Sequence, residues 1–235
     1  MAQNHPPKAV IPKHLGLILD GNRRWAKENG LKLLEGHRKG YSTLVEIAEA
    51  AFDRGVEYIS AYVFSTENWN RSEEEVTYLM DLLMWVATKE VKKLDKKNIK
   101  VVFLGKEQGL SPQAIKAIRS AEATTASNTG GTLVLCLNYG GQQEIADAVA
   151  SVIRSGADAK SITPSLITQH LYGPTLPPLD FIIRTSGEQR LSGFMLWSAA
   201  YAELKFVSKQ WPAFTATDLD EALEDYASRQ RRFGK

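Results

Sequence analysis

The sequence predicts an α/β domain: a central, mostly parallel six-stranded sheet flanked by helices. Three observations carry that expectation. Short apolar runs, most of them rich in β-branched residues, recur along the chain. Segments with helical apolar spacing lie between them, and the alternation continues without a composition break. Runs that are apolar at every position fit strands covered on both faces, and strand–helix alternation is the pattern of a parallel sheet wrapped by helices.

Residues 1–13 hold three prolines and no periodicity, and are expected to form a leader to a single domain spanning 14–235. The first strand is expected at 15–20, and a helix start follows it. In 37–53, Tyr41, Leu44, Val45, Ala48, Ala51 and Phe52 recur at helical spacing, with Gly55 as the stop. A second strand covers 57–64. Ser72-Glu73-Glu74-Glu75 reads as a capping box opening a long helix, with Val76, Leu79, Leu83, Val86, Val91 and Leu94 on its apolar side. A strand at 99–105 precedes a helix opened by Ser111-Pro112, with proline at its first position. The strand at 132–138 leads into a helix over 140–153, and another helix covers 163–171. Strands at 179–184 and 203–207 and a helix over 217–232, basic in its last turn, complete the series.

Composition narrows the function classes. The chain has 235 residues, 24% charged and 43% hydrophobic, near the averages of soluble globular proteins. Its length suits one domain, and a chain of this size buries roughly 70% of its unfolded surface. Global disorder, collagen-like repeats and coiled coil are excluded as descriptions. With 29 Lys and Arg against 27 Asp and Glu, the charge of +2 argues against a nucleic-acid partner, although it says nothing of local basic sites. The single Cys136 sits in an apolar run and reads as a small buried hydrophobe. No run approaches the ~20 apolar residues of a membrane span, and the first residues carry no secretory signal, so a cytoplasmic setting is expected.

In open parallel sheets ligands bind beyond the carboxyl ends of the strands, so the polar clusters following strands carry the functional reading. The first is Asp20-Gly21-Asn22-Arg23-Arg24-Trp25. Backbone N–H groups at a helix start and two guanidinium groups suit a phosphate or diphosphate. The lone carboxylate would repel that anion unless Mg²⁺ bridges them. An Asp-Gly turn with solvated arginines explains the same letters. The second cluster, Phe64-Ser65-Thr66-Glu67-Asn68-Trp69-Asn70-Arg71, carries more polar groups than a connection needs; Trp69 packed on the sheet edge is its plainer reading. The third holds Arg184, Arg190 and Ser192, either a second diphosphate clamp or a surface loop with a Glu188–Arg190 pair. Glu203 lies among apolar residues as a metal ligand or as the polar face of a strand edge. His37 stands beside Arg38 and Lys39 with no second His or Cys spaced to make a zinc site. The chain has no phosphate-binding P-loop, no G-x-G-x-x-G after a strand and no G-x-S-x-G.

Taken together and in order, these segments resemble the cis-prenyltransferase family, whose bacterial type is undecaprenyl-diphosphate synthase. The resemblance runs from about His14 to Arg231-Arg232-Phe233-Gly234. It implies an enzyme that condenses isopentenyl diphosphate onto an allylic diphosphate, usually farnesyl diphosphate, with Z stereochemistry, to give a polyprenyl diphosphate. Carried over by position, Asp20 holds Mg²⁺ and supports departure of the allylic diphosphate, and Asn68 belongs to the reacting centre. Gly21, Asn22, Arg23, Arg24, Trp25 and His37 surround the allylic diphosphate. Phe64, Ser65, Thr66, Glu67, Trp69 and Arg71 order substrate, and Arg184, Arg190 and Ser192 clamp isopentenyl diphosphate. Glu203 completes the metal environment. The resemblance further implies a homodimer, an apolar tunnel for the growing chain, and membrane association only peripherally, through the lipid product. Met80, Leu83, Met84, Trp85 and Val63 are candidate tunnel walls.

Three positions depart from the family pattern. Leu33, flanked by Lys32, stands where an arginine is common, Arg23 stands where many bacterial members have a small residue and is a candidate to compensate, and Gly193 stands where an asparagine is common. The first bears on the choice of allylic substrate. A non-catalytic subunit of the same fold is the competing reading; it should lack the acids and arginines that this chain keeps at Asp20, Arg184, Arg190 and Glu203.

Overall fold

The structure, a computed structural model, describes residues 10–229. Six strands form one sheet: β1 (His14–Ile18), β2 (Tyr58–Ser65), β3 (Lys100–Leu104), β4 (Thr132–Tyr139), β5 (Phe181–Arg184) and β6 (Glu203–Phe206). Their order is β3-β4-β2-β1-β5-β6 and every neighbouring pair is parallel. The helices are α1 (Asn22–Glu28), α2 (Leu33–Asp53), α3 (Glu73–Trp85), α4 (Val91–Lys96), α5 (Pro112–Thr125), α6 (Gly141–Arg154), α7 (Pro164–Gln169) and α8 (Ala216–Ser228).

β1 is central, and all five of its residues are buried. Its register aligns Leu15 with Ile59 on one side and Phe181 on the other, and Ile18 with Tyr62 and Arg184. The path from β1 through β4 builds the sheet to one side; the connection to β5 then carries the chain across to the other. Strand order therefore reverses beside β1, which opens a crevice at the carboxyl ends of β1 and β5. One face of the sheet packs Leu15, Leu17, Ile59 and Phe181 with Ile47 and Trp211. The other packs Ile18, Val134, Cys136 and Ile182 with Phe194. Each such side chain contributes about 1.5–3 kcal/mol on burial. Cys136 is fully buried, and burial pushes its thiol well up from the ordinary range.

Several boundaries differ from the sequence expectation, each for a physical reason. β1 stops at Ile18, leaving Asp20 in a turn where the backbone N–H of Asp20 returns to the Ile18 carbonyl, 2.9 Å away. α2 begins at Leu33, one turn before His37, because the Glu35 carboxylate accepts the Lys32 backbone N–H at 2.9 Å. The long helix after Ser72 is interrupted by a π segment, Val86–Glu90, beside the point where Thr88 Oγ1 donates back to the Met84 carbonyl at 2.6 Å. α8 starts from a Thr215 cap and ends at Ser228, short of the expected basic last turn. Arg231, Arg232 and Gly234, like residues 1–9 of the expected leader, lie outside the described residues. An apolar pocket, and no through-going tunnel, is found among the described residues.

Candidate active site

Asp20 is the hub. Gly21 follows it in a left-handed conformation (φ 105°), a turn open to glycine, and a Cβ there would meet Ser186 Oγ at 2.3 Å. The turn presents the Asp20 carboxylate to two guanidinium groups. Arg24 Nη2 donates to Oδ1 at 3.1 Å, and Arg184 Nη2 to Oδ2 at 2.9 Å. Arg184 is 4% exposed, the last residue of β5. Its Nη1 also donates to Ser192 Oγ at 2.8 Å and to the Arg190 carbonyl, fixing the loop that follows. Ser186, Ser192 and Met195 in that loop, all non-glycine, hold positive φ; such strain concentrates at binding sites.

Three buried polar atoms around this hub have no partner: Asn22 Oδ1, Arg184 Nε and Ser186 Oγ. Orphans of this kind cost stability, and several in one place mark a binding site.

A second cluster lies beside it. Glu75 is 4% exposed and gathers Arg71 Nη1 at 2.8 Å, His37 Nε2 at 3.1 Å and Arg23 Nη1 at 3.8 Å. A carboxylate only accepts, so His37 Nε2 carries the proton that faces it. Burial pushes the Glu75 carboxyl up, but the Arg71 charge, the His37 hydrogen bond and Arg23 outweigh it and hold it below the ordinary range. Burial lowers His37 in spite of Glu75. The expected capping box at Ser72 is only half formed. Ser72 Oγ accepts the Glu75 N–H at 3.4 Å, while the Glu75 side chain turns away to Arg71 and His37.

Two pockets meet at this end of the sheet. A polar one of ≈570 Å³ includes Asp20, Ser65, Glu67, Gln142, Arg184 and Ser192 in its lining. An apolar one of ≈160 Å³ lies between α2, α3, β2 and β4, with Leu44, Val63, Phe64, Leu79, Leu83 and Val86 among its walls and Asn22 and His37 at its polar side. Leu19, Tyr62, Asn68 and Arg71 line both. Of the expected tunnel residues, Val63 and Leu83 line the pocket. Met80 packs against the Phe64 and Leu83 cluster, Met84 against Ala87 and Ala121, and Trp85 is surface-facing.

The remaining site residues divide. Trp69 Nε1 donates to Asn138 Oδ1 at 2.8 Å and its ring meets Phe64 edge-on at 5.2 Å. Asn68 Oδ1 accepts the Ser65 N–H at 3.0 Å, shaping the turn after β2. Arg190 pairs with Glu188, and Arg23, Trp25, Thr66 and Arg190 line neither pocket. Leu33 is 40% exposed at the start of α2 and also lines neither.

Glu203 is a correction. It opens β6 opposite Phe181, level with Leu15, at the amino end of the sheet. Asp20 lies beyond the carboxyl end, more than ~10 Å further along the strands. Arg229 Nη1 donates to Glu203 Oε2 at 2.9 Å. Within one chain Glu203 is therefore not a second ligand to an ion on Asp20. Among the described residues no group of three or more His, Cys, Asp or Glu gathers to hold a metal. One carboxylate still suits Mg²⁺, which takes one or two protein carboxylates and completes its shell with substrate phosphate oxygens and water. Sequence reasoning missed Glu75, Tyr62 and Gln142. Gln142 follows β4 as the other clusters follow their strands, and the same strand-end rule finds it.

Fold and site together define a class: an α/β protein with an arginine-rich anion site at a strand-order reversal, opening onto an apolar pocket. Comparison with known proteins makes the class specific. Residues 18–234 match the family described as "Putative undecaprenyl diphosphate synthase". A Thermobifida fusca protein named trans,polycis-polyprenyl diphosphate synthase, (2Z,6E)-farnesyl diphosphate specific, is 43% identical over 232 residues, 97% of this chain and 82% of that one. The crystal structure of lavandulyl diphosphate synthase from Lavandula x intermedia with dimethylallyl diphosphate superposes with a TM-score of 0.91 at 33% identity, covering 96% of this chain and 99% of that one. That of a probable undecaprenyl diphosphate synthase from Campylobacter jejuni gives 0.81 at 27%, covering 95% and 99%. The chain belongs to the undecaprenyl diphosphate synthase family, the cis-prenyltransferases, and is a Z-prenyltransferase.

Proposed function

We propose that the protein condenses isopentenyl diphosphate with an allylic diphosphate, farnesyl diphosphate as primer, to a polyprenyl diphosphate of undecaprenyl-like length. The observation that carries this reading is the shared lining of the two pockets by Leu19, Tyr62, Asn68 and Arg71. An anionic head in the polar pocket leads directly to an apolar tail beside Leu44, Phe64 and Leu83.

The reaction breaks the allylic C–O bond, forms a C–C bond from the isopentenyl alkene, and loses one proton. Charge builds on the departing diphosphate, and preorganised donors there lower the barrier. Arg24 and Arg184, resting on Asp20 in the free protein, supply such donors together with the α1 N–H groups. Asp20 would hold Mg²⁺, which when bound would add to the neutralisation of the leaving group. Arg184 Nε, without a partner, is a donor available to a bound diphosphate. Arg184, Arg190 and Ser192 anchor the second diphosphate, so that the two substrates meet in a fixed orientation. Asn68, on both pocket linings, stands at the reacting carbon. No side chain is placed as a strong base, which leaves the released diphosphate to take the proton.

A homodimer acting in the cytoplasm, touching the membrane peripherally, completes the proposal. Purified protein given farnesyl or geranyl diphosphate, labelled isopentenyl diphosphate and Mg²⁺ should yield labelled polyprenyl product, and chelation should stop it. Absence of incorporation with every allylic primer would overturn the reading.

A further inference from the structure

We infer that the outer face of the α3–α4 region is a docking surface for an anionic lipid bilayer. Trp85, Lys89, Lys92 and Lys96 are spaced four, three and four residues apart, one stripe of a helix, and all four are exposed. The three lysines make no ion pair among the described residues. Of the acids on this stretch, Glu90 pairs with Lys93 and Asp95 with the Asn128 side chain, while Asp81, eight residues before Lys89, is exposed and too far along the helix to pair with the lysines. Lys97, off the stripe, pairs with Glu49 of α2. Like charges three and four residues apart repel one another, so the stripe lacks compensation until an anionic surface covers it.

Three observations favour a bilayer over other anionic partners. Trp85 heads the stripe, with its ring edge on Tyr41 at 5.5 Å, and an exposed indole beside lysines suits the headgroup level. The stripe is built of lysine alone, which serves as a diffuse charge and offers no guanidinium fork to read a specific phosphate. The same helical stretch turns Leu79, Leu82, Leu83 and Val86 into the apolar pocket. One helix diameter, about 10 Å, thus separates the basic stripe from the pocket. A second copy of the chain is a poor occupant, because a twofold contact would set these lysines against their own counterparts.

The inference rests on the prenyl diphosphate reading only for the reason a bilayer lies beside this pocket. Vesicle binding is measured without substrate, so its failure would leave that reading standing. The full chain is sedimented with vesicles of phosphatidylcholine alone or with about a third phosphatidylglycerol, at low salt and at about 0.5 M salt. Binding is expected only to the anionic vesicles and is expected to fall at high salt. Combined Lys89→Glu, Lys92→Glu and Lys96→Glu substitution should weaken it roughly a hundredfold, since each lysine near an anionic surface is worth a factor of about five. Trp85→Ser should weaken it a few-fold and abolish any blue shift of emission on binding. The three lysines line neither pocket, so the melting temperature of the triple variant and its turnover of short soluble substrates should be unchanged. Equal binding to neutral vesicles, no binding to anionic ones, or full retention by the triple variant would overturn the inference. Tighter binding to a DNA duplex than to vesicles would overturn it too.

Discussion

The two ends of the same sheet handle polar groups in opposite ways. At the amino end His14 is fully buried, yet every polar atom of its ring is used: Nδ1 meets the Pro177 carbonyl at 2.7 Å and Nε2 meets Ser60 Oγ at 2.8 Å. The carbonyl only accepts, so Nδ1 carries the proton and Nε2 accepts from Ser60. The Asp180 carboxylate takes the Lys13 and His14 backbone N–H groups, and Glu203 is held by Arg229. At the carboxyl end Asn22, Arg184 and Ser186 keep buried atoms unpaired, and the arginines lean on Asp20, Glu75 and Glu188. The saturated end contributes stability. The unsaturated end gives some up, and its carboxylates occupy the arginines.

That contrast can be broken experimentally, most severely at the hub. Asp20→Asn should lower kcat by at least about a hundredfold with little change in melting temperature, because the charge at the leaving group is lost and the fold is not. Activity within tenfold of wild type would remove Asp20 from the chemistry. Glu75→Gln comes next. It keeps the shape of the side chain but frees Arg71 and His37, and should cost roughly tenfold in kcat/KM for the allylic diphosphate, read by steady-state kinetics. A loss of stability alone, with kinetics intact, would make Glu75 purely structural.

The amino end should answer to acid instead. Burial lowers His14, so the folded chain binds fewer protons than the unfolded chain just below the ordinary histidine value of 6.5. The stability tied to neutral His14 is complete above pH 6.5 and is lost as pH falls through the depressed folded value. His37 is lowered as well and adds in the same direction. Denaturant midpoints measured from pH 7.5 to 5 should fall, and His14→Gln should flatten the fall. The smallest effect is expected from Glu203→Gln. A metal site built by one chain alone predicts that the Mg²⁺ concentration for half-maximal rate moves by no more than about twofold, whereas a tenfold shift would place this acid in the site of a neighbouring copy.

How much of this was legible follows from what each residue answers to. β1 and β4 are buried on both faces, so the runs Leu15–Ile18 and Leu133–Leu137 carry no polar side chain and the strands are readable from letters alone. Asp20 and Arg184 were readable because a charged residue at the end of an apolar run has no local use. Glu75 was hidden for the opposite reason: Ser-x-x-Glu at a helix start has a sufficient local explanation, and only the packing of α2 against α3 turns the carboxylate elsewhere. The placement of Glu203 depends on the register of β6 against β5, which no local pattern in a four-residue edge strand encodes. The pocket walls were half legible, since Leu83 and Met84 are adjacent in sequence and helical phase alone decides which one faces the cavity.

α1 is pressed unusually hard onto α2. A Cβ at Gly36 would lie 2.2 Å from the Asn22 carbonyl oxygen, and one at Gly40 would lie 2.2 Å from Asn22 Oδ1. The turn that carries Asp20 is thereby bolted to a 21-residue helix. Its binding groups need little rearrangement, so little ordering entropy is lost when a ligand arrives. The seam also limits how the protein can vary. α3 is free of this constraint, whereas the mount beneath Asp20 tolerates almost nothing larger than hydrogen at two of its positions.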